Sequence, residues 1–447
     1  MKRILEMIQK TVLNGIGGVP LDYYLFIIIF FAKISSVLIF ECLFDVFSVY
    51  QHEILLVEKY TYSLVAGYVA LYHIIYILTH RRFPWNQCIF LSVLFFLFAV
   101  MTTVINQGSA IAYDYFTKLS IMELMLTAVF MFQVASRLSE KQCWNLITIC
   151  GKGLLYLILF INAISLLVFL LRPANPIVNI LGFEIKLPTV FFDSYGYRQY
   201  YRYAGFYSHP NTCGVHCYLA IAVSILLLSR KQIKLPLFLC AVFTSLFLIA
   251  LCVSRTSIVV LSFMAVYLVI YCLKKKTRSL RIAALTGTAV AAAAVVILFF
   301  LKQDRILSIL RDISADPYSA INVLASDRLH LAKVVNDMVK TSPWIGVGWN
   351  VKILQHDSAH NVFLSVLAWT GIIGLIIFGL LLISVVINGV KTKSIQRNPL
   401  LFMILLCVLV QCLFEQGIVG DNRHAYTYLF WLILGYFGRI NPQINEQ

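Results

Sequence analysis

Charge is what this sequence has least of. Only 13% of its 447 residues are charged, against 60% that are hydrophobic, and soluble chains carry about twice that charged share. Together with a mean hydropathy of +0.85, the deficit excludes an ordinary soluble enzyme and leaves a polytopic membrane protein. Acidic residues are scarcer still, 20 against 36 Lys and Arg, for a formal charge of +16. On a soluble chain that excess would suggest nucleic acid; here the basic residues fall in short clusters between apolar runs, so most of the excess is topological. Cysteine is missing from the two longest polar intervals, and its 11 copies lie mostly inside apolar runs, which excludes a disulfide framework and makes them small buried hydrophobes. Cys213 and Cys217, one turn apart with His209 and His216 nearby, read as core residues rather than a metal site. No GxGxxG, P-loop, HExxH or paired CxxC is present, and no internal repeat. The first apolar run starts near Leu21, too long for a signal-peptide core and without a small-residue cleavage site, so no cleaved leader is expected.

What is there is a series of runs long enough to cross hydrocarbon, about 20 residues each. They fall near 22–44, 60–78, 86–105, 115–134, 148–171, 212–229, 235–253, 256–273, 282–301, 361–387, 399–416 and 425–438. With the N-terminus (Lys2, Arg3, Lys10) inside, every other cytoplasmic loop is basic: Arg81 and Arg82; Arg137 and Lys141; Arg230, Lys231 and Lys234; Lys274, Lys275, Lys276, Arg278 and Arg281; Lys391, Lys393 and Arg397; and the tail from Arg439. The short outer connections carry Asp45, Glu53, Glu58, Asp114 and Asp421. The expected fold is therefore an all-α polytopic integral membrane protein of about twelve transmembrane helices, a single membrane domain over 1–447, with both termini cytoplasmic.

This topology leaves two long segments outside, loop 172–211 and the larger loop 302–360. Both are rich in Arg and Lys although they face outward, and an anionic ligand is the simplest reason. In the second loop, Asp304 to Ile313 and Asp327 to Lys340 place apolar residues at helical spacing, so two short amphipathic helices are expected. Ser326 or Asp327 would cap the second, Pro343 would follow its end, and Gly346-Val347-Gly348 would turn the chain back towards the bilayer.

The residues fit for chemistry cluster at span borders. Arg202 lies in a stretch dense with Tyr195, Tyr197, Tyr200, Tyr201, Tyr203 and Tyr207, either an interfacial aromatic belt or a site where tyrosines stack on sugar and Arg forks a phosphate. Arg255 occupies a tight turn at the hydrocarbon edge, costly without a partner. Arg328 heads an amphipathic helix, where a positive charge opposes the helix dipole and calls for a nearby anion. His360, at the mouth of a span beside Asn361, can take a proton at neutral pH and is the candidate general base, with His356 and Asp357 weaker candidates. The ionisable residues of the spans, Lys33, Glu41, His73, Glu123, Lys152, His216 and Glu415, are too sparse for a proton relay; Glu41 and Glu415 lie close to the outer surface.

The order R-Y-A-G-F-Y-S-H-P-N (202–211), S-R-T-S (254–257), the Arg328 helix, P-W-I-G-V-G (343–348) and H-N-V-F-L (360–364) with Gly371 and Gly374 resembles the bacterial O-antigen ligase and O-antigen or capsular polysaccharide polymerase family. The resemblance covers roughly the second half of the chain. It implies a GT-C-like membrane glycosyltransferase with a polyprenyl-diphosphate-linked glycan donor and a glycan acceptor, acting on the outer face of the inner membrane without a cofactor or required metal. By position, Arg202 and Arg255 look like the family's phosphate-binding arginines and His360 like its essential histidine. Arg328, Asn361, Asn211, Tyr203 and His209 are the associated substrate- and phosphate-binding candidates, and Trp344 and Trp349 could stack on sugars. Polymerisation of repeat units is the expected reaction, ligation of a finished chain the nearest alternative. A flippase for the same lipid would instead line its spans with cations and would not need His360.

Overall fold

Residues 21, 23–28, 30–31, 74–75, 78, 86–107, 138–171, 177–180, 183–186, 190–195, 198–205, 207, 210–252, 254–274, 328–349, 351, 359–415 and 425–439 are described in the computed structural model of the protein. Within them the chain is built from α1 (Gln87–Gln107), α2 (Glu140–Leu171), α3 (Pro210–Ser229), α4 (Leu235–Cys252), α5 (Arg255–Lys274), α6 (Arg328–Thr341), α7 (Val362–Lys391), the short α8 (Ser394–Arg397), α9 (Pro399–Cys412) and α10 (Ala425–Gly438). Six of these, α1 to α5 and α7, are long and apolar enough to cross a membrane. The expected spans 115–134 and 282–301, and most of 22–44 and 60–78, lie outside the described residues, as does the amphipathic segment Asp304 to Ile313.

Local sequence explains where the helices begin. Asn86 accepts from the Ile89 amide at 2.8 Å and caps α1. Ser139 and Gln142 form a reciprocal capping box on α2, the Ser139 amide donating to Gln142 Oε1 at 3.0 Å and the Gln142 amide to Ser139 Oγ at 3.3 Å. Proline opens both α3 and α9, a position where its missing N–H costs nothing.

Helix α3 is the centre of the packing. It touches α2, α4, α5 and α9, and nearly all of its residues from Cys213 to Leu227 are buried. By contrast α4 and α5 turn Phe243, Phe247, Val266 and Leu273 outward, an apolar surface suited to lipid. Several apolar helices of this kind make the chain a multi-pass membrane protein.

The loop 172–211 holds more order than the sequence suggests. It folds into two antiparallel hairpins, β1 (Ile177–Ile180) with β2 (Phe183–Lys186) and β3 (Val190–Tyr195) with β4 (Arg198–Tyr203). The tyrosines read as an interfacial belt thus lie largely on strands, where aromatic residues are favoured.

Helix α7 is broken. At Gly371 the backbone takes φ 65 and ψ −168, which frees carbonyls and amides on either side of the break. The Pro343–Gly348 segment closes it: Val347 and Gly348 amides donate to the Ala368 and Trp369 carbonyls (2.9 and 3.0 Å), while Ile372 and Ile373 amides donate to the Pro343 and Trp344 carbonyls (2.9 and 3.3 Å). Unsatisfied backbone groups inside a bilayer cost several kcal/mol each, so this strap is what permits the break. A Cβ on Gly346 would collide with the Trp369 carbonyl and one on Gly371 with the Trp344 carbonyl. The expected glycine turn is therefore a plug, and it ties the end of α6 to the first half of α7.

The two ends of the bundle carry different polar groups. At one end Glu140 receives Arg397 (3.0 Å) and Arg439 (3.6 Å), Arg230 donates to Asn398 Oδ1 (2.6 Å), and Asn86 donates to the Gly438 carbonyl (3.3 Å). These residues come from segments that the charge rule assigns to one side, and the fold does bring them together. The opposite end gathers the starts of α3, α6 and α7 and the end of α9.

Candidate functional site

The site grows from that opposite end. Asn211 is the second residue of α3, Arg328 the first of α6, and Asn361 the cap of α7 with His360 just before it. Each stands where a helix begins and its orphan amides leave partial positive charge. Glu415 follows the last turn of α9 and meets three of them. Its Oε1 accepts from Asn211 Nδ2 at 2.8 Å and from an Arg328 terminal nitrogen at 3.1 Å; its Oε2 lies 3.3 Å from His360 Nδ1. The Glu415 side chain is only 15% exposed, so the Arg328 pair, at 23% on the arginine side, is shielded more than a surface ion pair.

Arg328 also donates to the Phe414 carbonyl at 3.0 Å. Its Nε is buried and has no hydrogen-bond partner among the described residues. A guanidinium grips an oxyanion best with two nitrogens, and here one edge is half used. The anion that the start of α6 requires on electrostatic grounds is, in this structure, the Glu415 carboxylate.

His360 sits in the left-handed region at φ 48, a conformation that costs a residue with a side chain about 1 kcal/mol. The cap beyond it holds the chain there: Asn361 Oδ1 accepts from the Leu364 amide (3.0 Å) and its Nδ2 donates to the Leu413 carbonyl (2.9 Å). Because a carboxylate only accepts, Nδ1 is the protonated nitrogen of the ring and a neutral His360 offers Nε2 as its acceptor. The side chain is 37% exposed, open enough to meet a substrate hydroxyl.

The remaining sequence-derived residues divide. Arg255 is exposed at the first turn of α5, and that turn is drawn against α3 because Gly214 has no side chain to strike Ser254 and Ser257. Arg202 is placed by its backbone in β4, paired with Phe191 of β3. His209, His356 and Asp357 lie outside the described residues. Tyr203 is buried near Ser165 of α2 and Cys213 of α3, and burial pushes its phenol above the ordinary tyrosine range; it packs into the core. Asn361 is accounted for by its cap. Trp349 is fully buried against Phe95 and Trp369, whereas Trp344 is 63% exposed at the broken helix. His216 is a core residue, its Nδ1 2.9 Å from the Thr212 carbonyl and its ring stacked on Tyr207. Among the described residues no cluster of His, Cys, Asp or Glu has a metal-binding arrangement.

Glu415 is the residue that sequence reasoning passed over. Its nearness to the outer surface was legible; that three helix starts converge on it was not.

Residues 240–379 match the family described as O-antigen ligase. The match covers the stretch that holds S-R-T-S, the Arg328 helix and H-N-V-F-L, and makes that stretch similar to this family. It runs from α4 into α7 and so contains Arg255, Arg328, His360 and Asn361, while Arg202, Asn211 and Glu415 lie outside it. No curated protein matches the chain.

Proposed function

We propose that the protein, as one membrane domain, polymerises polyprenyl-diphosphate-linked oligosaccharide repeat units on the outer face of the inner membrane, with both termini in the cytoplasm. The observation that carries this reading is the meeting of Arg328, His360 and Asn211 on one shielded carboxylate, at the end of the bundle where the turn with the exposed Arg255 also meets the start of α3. A guanidinium with an unused buried donor suits a phosphate oxygen; an imidazole whose Nδ1 faces a carboxylate suits a sugar hydroxyl.

In the reaction, an acceptor hydroxyl attacks the anomeric carbon of the donor. Its proton passes to His360 Nε2, a new C–O bond forms, and the bond from the anomeric carbon to the phosphate oxygen breaks, its electron pair leaving with the polyprenyl diphosphate. Arg202, Arg255 and Arg328 stabilise the departing charge, which in a poorly solvated site is the larger effect. General-base help from His360 contributes about 10²- to 10⁴-fold. Trp344, exposed at the break in α7, would stack on a sugar ring. No nucleic acid, metal or cofactor enters the scheme.

A cell in which the gene is deleted tests the reading. Single unpolymerised repeats on the carrier support polymerisation; finished polymer stranded on the carrier would show ligation to a lipid or protein acceptor instead. A loss of all lipid-linked sugar from the outer leaflet would point to transport and sink both.

A further inference from the structure

The Glu415 carboxylate occupies the place that an anionic substrate would be expected to take. It accepts from Asn211 and Arg328 through Oε1 and from His360 through Oε2, at the meeting of three helix starts whose dipoles favour negative charge. Among the described residues the cluster joins one arginine, one carboxylate and one imidazole. A diphosphate approaching Arg328 must therefore either share it with a carboxylate about 3 to 4 Å away, a repulsion worth roughly 1 kcal/mol or more, or displace that carboxylate from the arginine.

We infer that Glu415 is a two-sided positioning residue: its Oε1 holds Arg328 and Asn211 until a donor phosphate displaces it, while its Oε2 keeps the proton on His360 Nδ1 and so makes Nε2 the basic nitrogen of the ring. The inference deepens the proposed function and rests on it. The buried Arg328 Nε without a partner among the described residues gives the incoming phosphate oxygen a donor before the carboxylate has left. Exchange then costs little, since each hydrogen bond lost to Glu415 is regained from phosphate. With Oε1 released, the carboxylate remains bonded to the imidazole as it takes up a proton. The two roles pull in opposite directions on substrate binding and on turnover, and that separates them from a merely structural ion pair.

The test uses the full-length protein in detergent or nanodiscs, with inorganic pyrophosphate as the anion probe and chain growth on a lipid-linked repeat as the activity. In Glu415→Gln the site loses its negative charge at nearly constant shape. Pyrophosphate should bind about tenfold more tightly, while kcat should fall about 100-fold or more because an amide no longer fixes the histidine proton. Glu415→Asp keeps the charge on a shorter arm, and should recover part of kcat while leaving pyrophosphate affinity near wild type; it also serves if the glutamine variant fails to fold. Unchanged or weaker pyrophosphate binding in Glu415→Gln, or no recovery by aspartate, overturns the inference. Arg328→Ala separates the levels. If it does not weaken pyrophosphate binding, the phosphate-binding reading itself has failed; if it does and Glu415→Gln still binds no tighter, only the displacement is wrong.

Discussion

His360 Nδ1 and Glu415 Oε2 are 3.3 Å apart although 55 residues separate them in sequence. The pair joins the approach to α7 with the exit from α9, and it fixes which imidazole nitrogen carries a proton. Everything catalytic that follows depends on that assignment.

His360→Ala should reduce chain growth by about 10²- to 10⁴-fold while the protein still reaches the membrane. Glycan length on a gel, alongside an immunoblot of the membrane fraction, checks it. Long polymer in this variant removes the histidine from the chemistry.

Arg328→Lys keeps the charge and loses the fork. Lysine reaches with a single nitrogen, so it cannot serve Phe414, Glu415 and a phosphate together. The expected result is a KM for the lipid-linked donor raised at least tenfold, and a loss of about 2 kcal/mol in stability from the weakened hydrogen bonds to charge. A donor titration and thermal melting in detergent read the two effects separately.

Gly371→Ala and Gly346→Ala should each destabilise by at least about 1 kcal/mol, because both force a side chain into a positive-φ residue and against backbone. Either change loosens the strap that ties the end of α6 to the first half of α7, so activity should fall further than folded protein does. Melting temperature and activity per folded molecule, measured on the same preparation, show whether it does.

The two polar ends of the bundle give a topology prediction. A cysteine at Trp344, exposed beside the broken helix, should react with a membrane-impermeant maleimide in cells with a permeabilised outer layer or none. One at Lys393, next to the Glu140 and Arg397 cluster, should react only after the cytoplasmic membrane is opened. The reverse pattern would invert the charge-rule assignment.

Much of this was legible in the sequence, and the reasons for the rest are physical. Apolar length and basic loops located the described spans because hydrocarbon thickness and the charge rule act on short stretches. The requirement for an anion beside Arg328 was also legible, from the dipole of its own helix. Its identity was not, since Glu415 comes from a segment 87 residues away and meets Arg328 only when the fold brings the start of α6 to the exit from α9. Gly371 looked like punctuation within a span, and only the strap hydrogen bonds reveal a break. Trp349 and Tyr203 are chemically fit to bind sugar; tertiary burial, which composition cannot report, puts them in the core.

Purified protein supplied with a synthetic polyprenyl-diphosphate-linked repeat unit is the most direct trial of the proposed chemistry. The account predicts glycans of increasing length with release of one polyprenyl diphosphate per bond formed, and neither product above background from His360→Ala. Chain growth that proceeds unchanged without the imidazole, or wild-type protein that moves the lipid across a bilayer and forms no new bond, would contradict it.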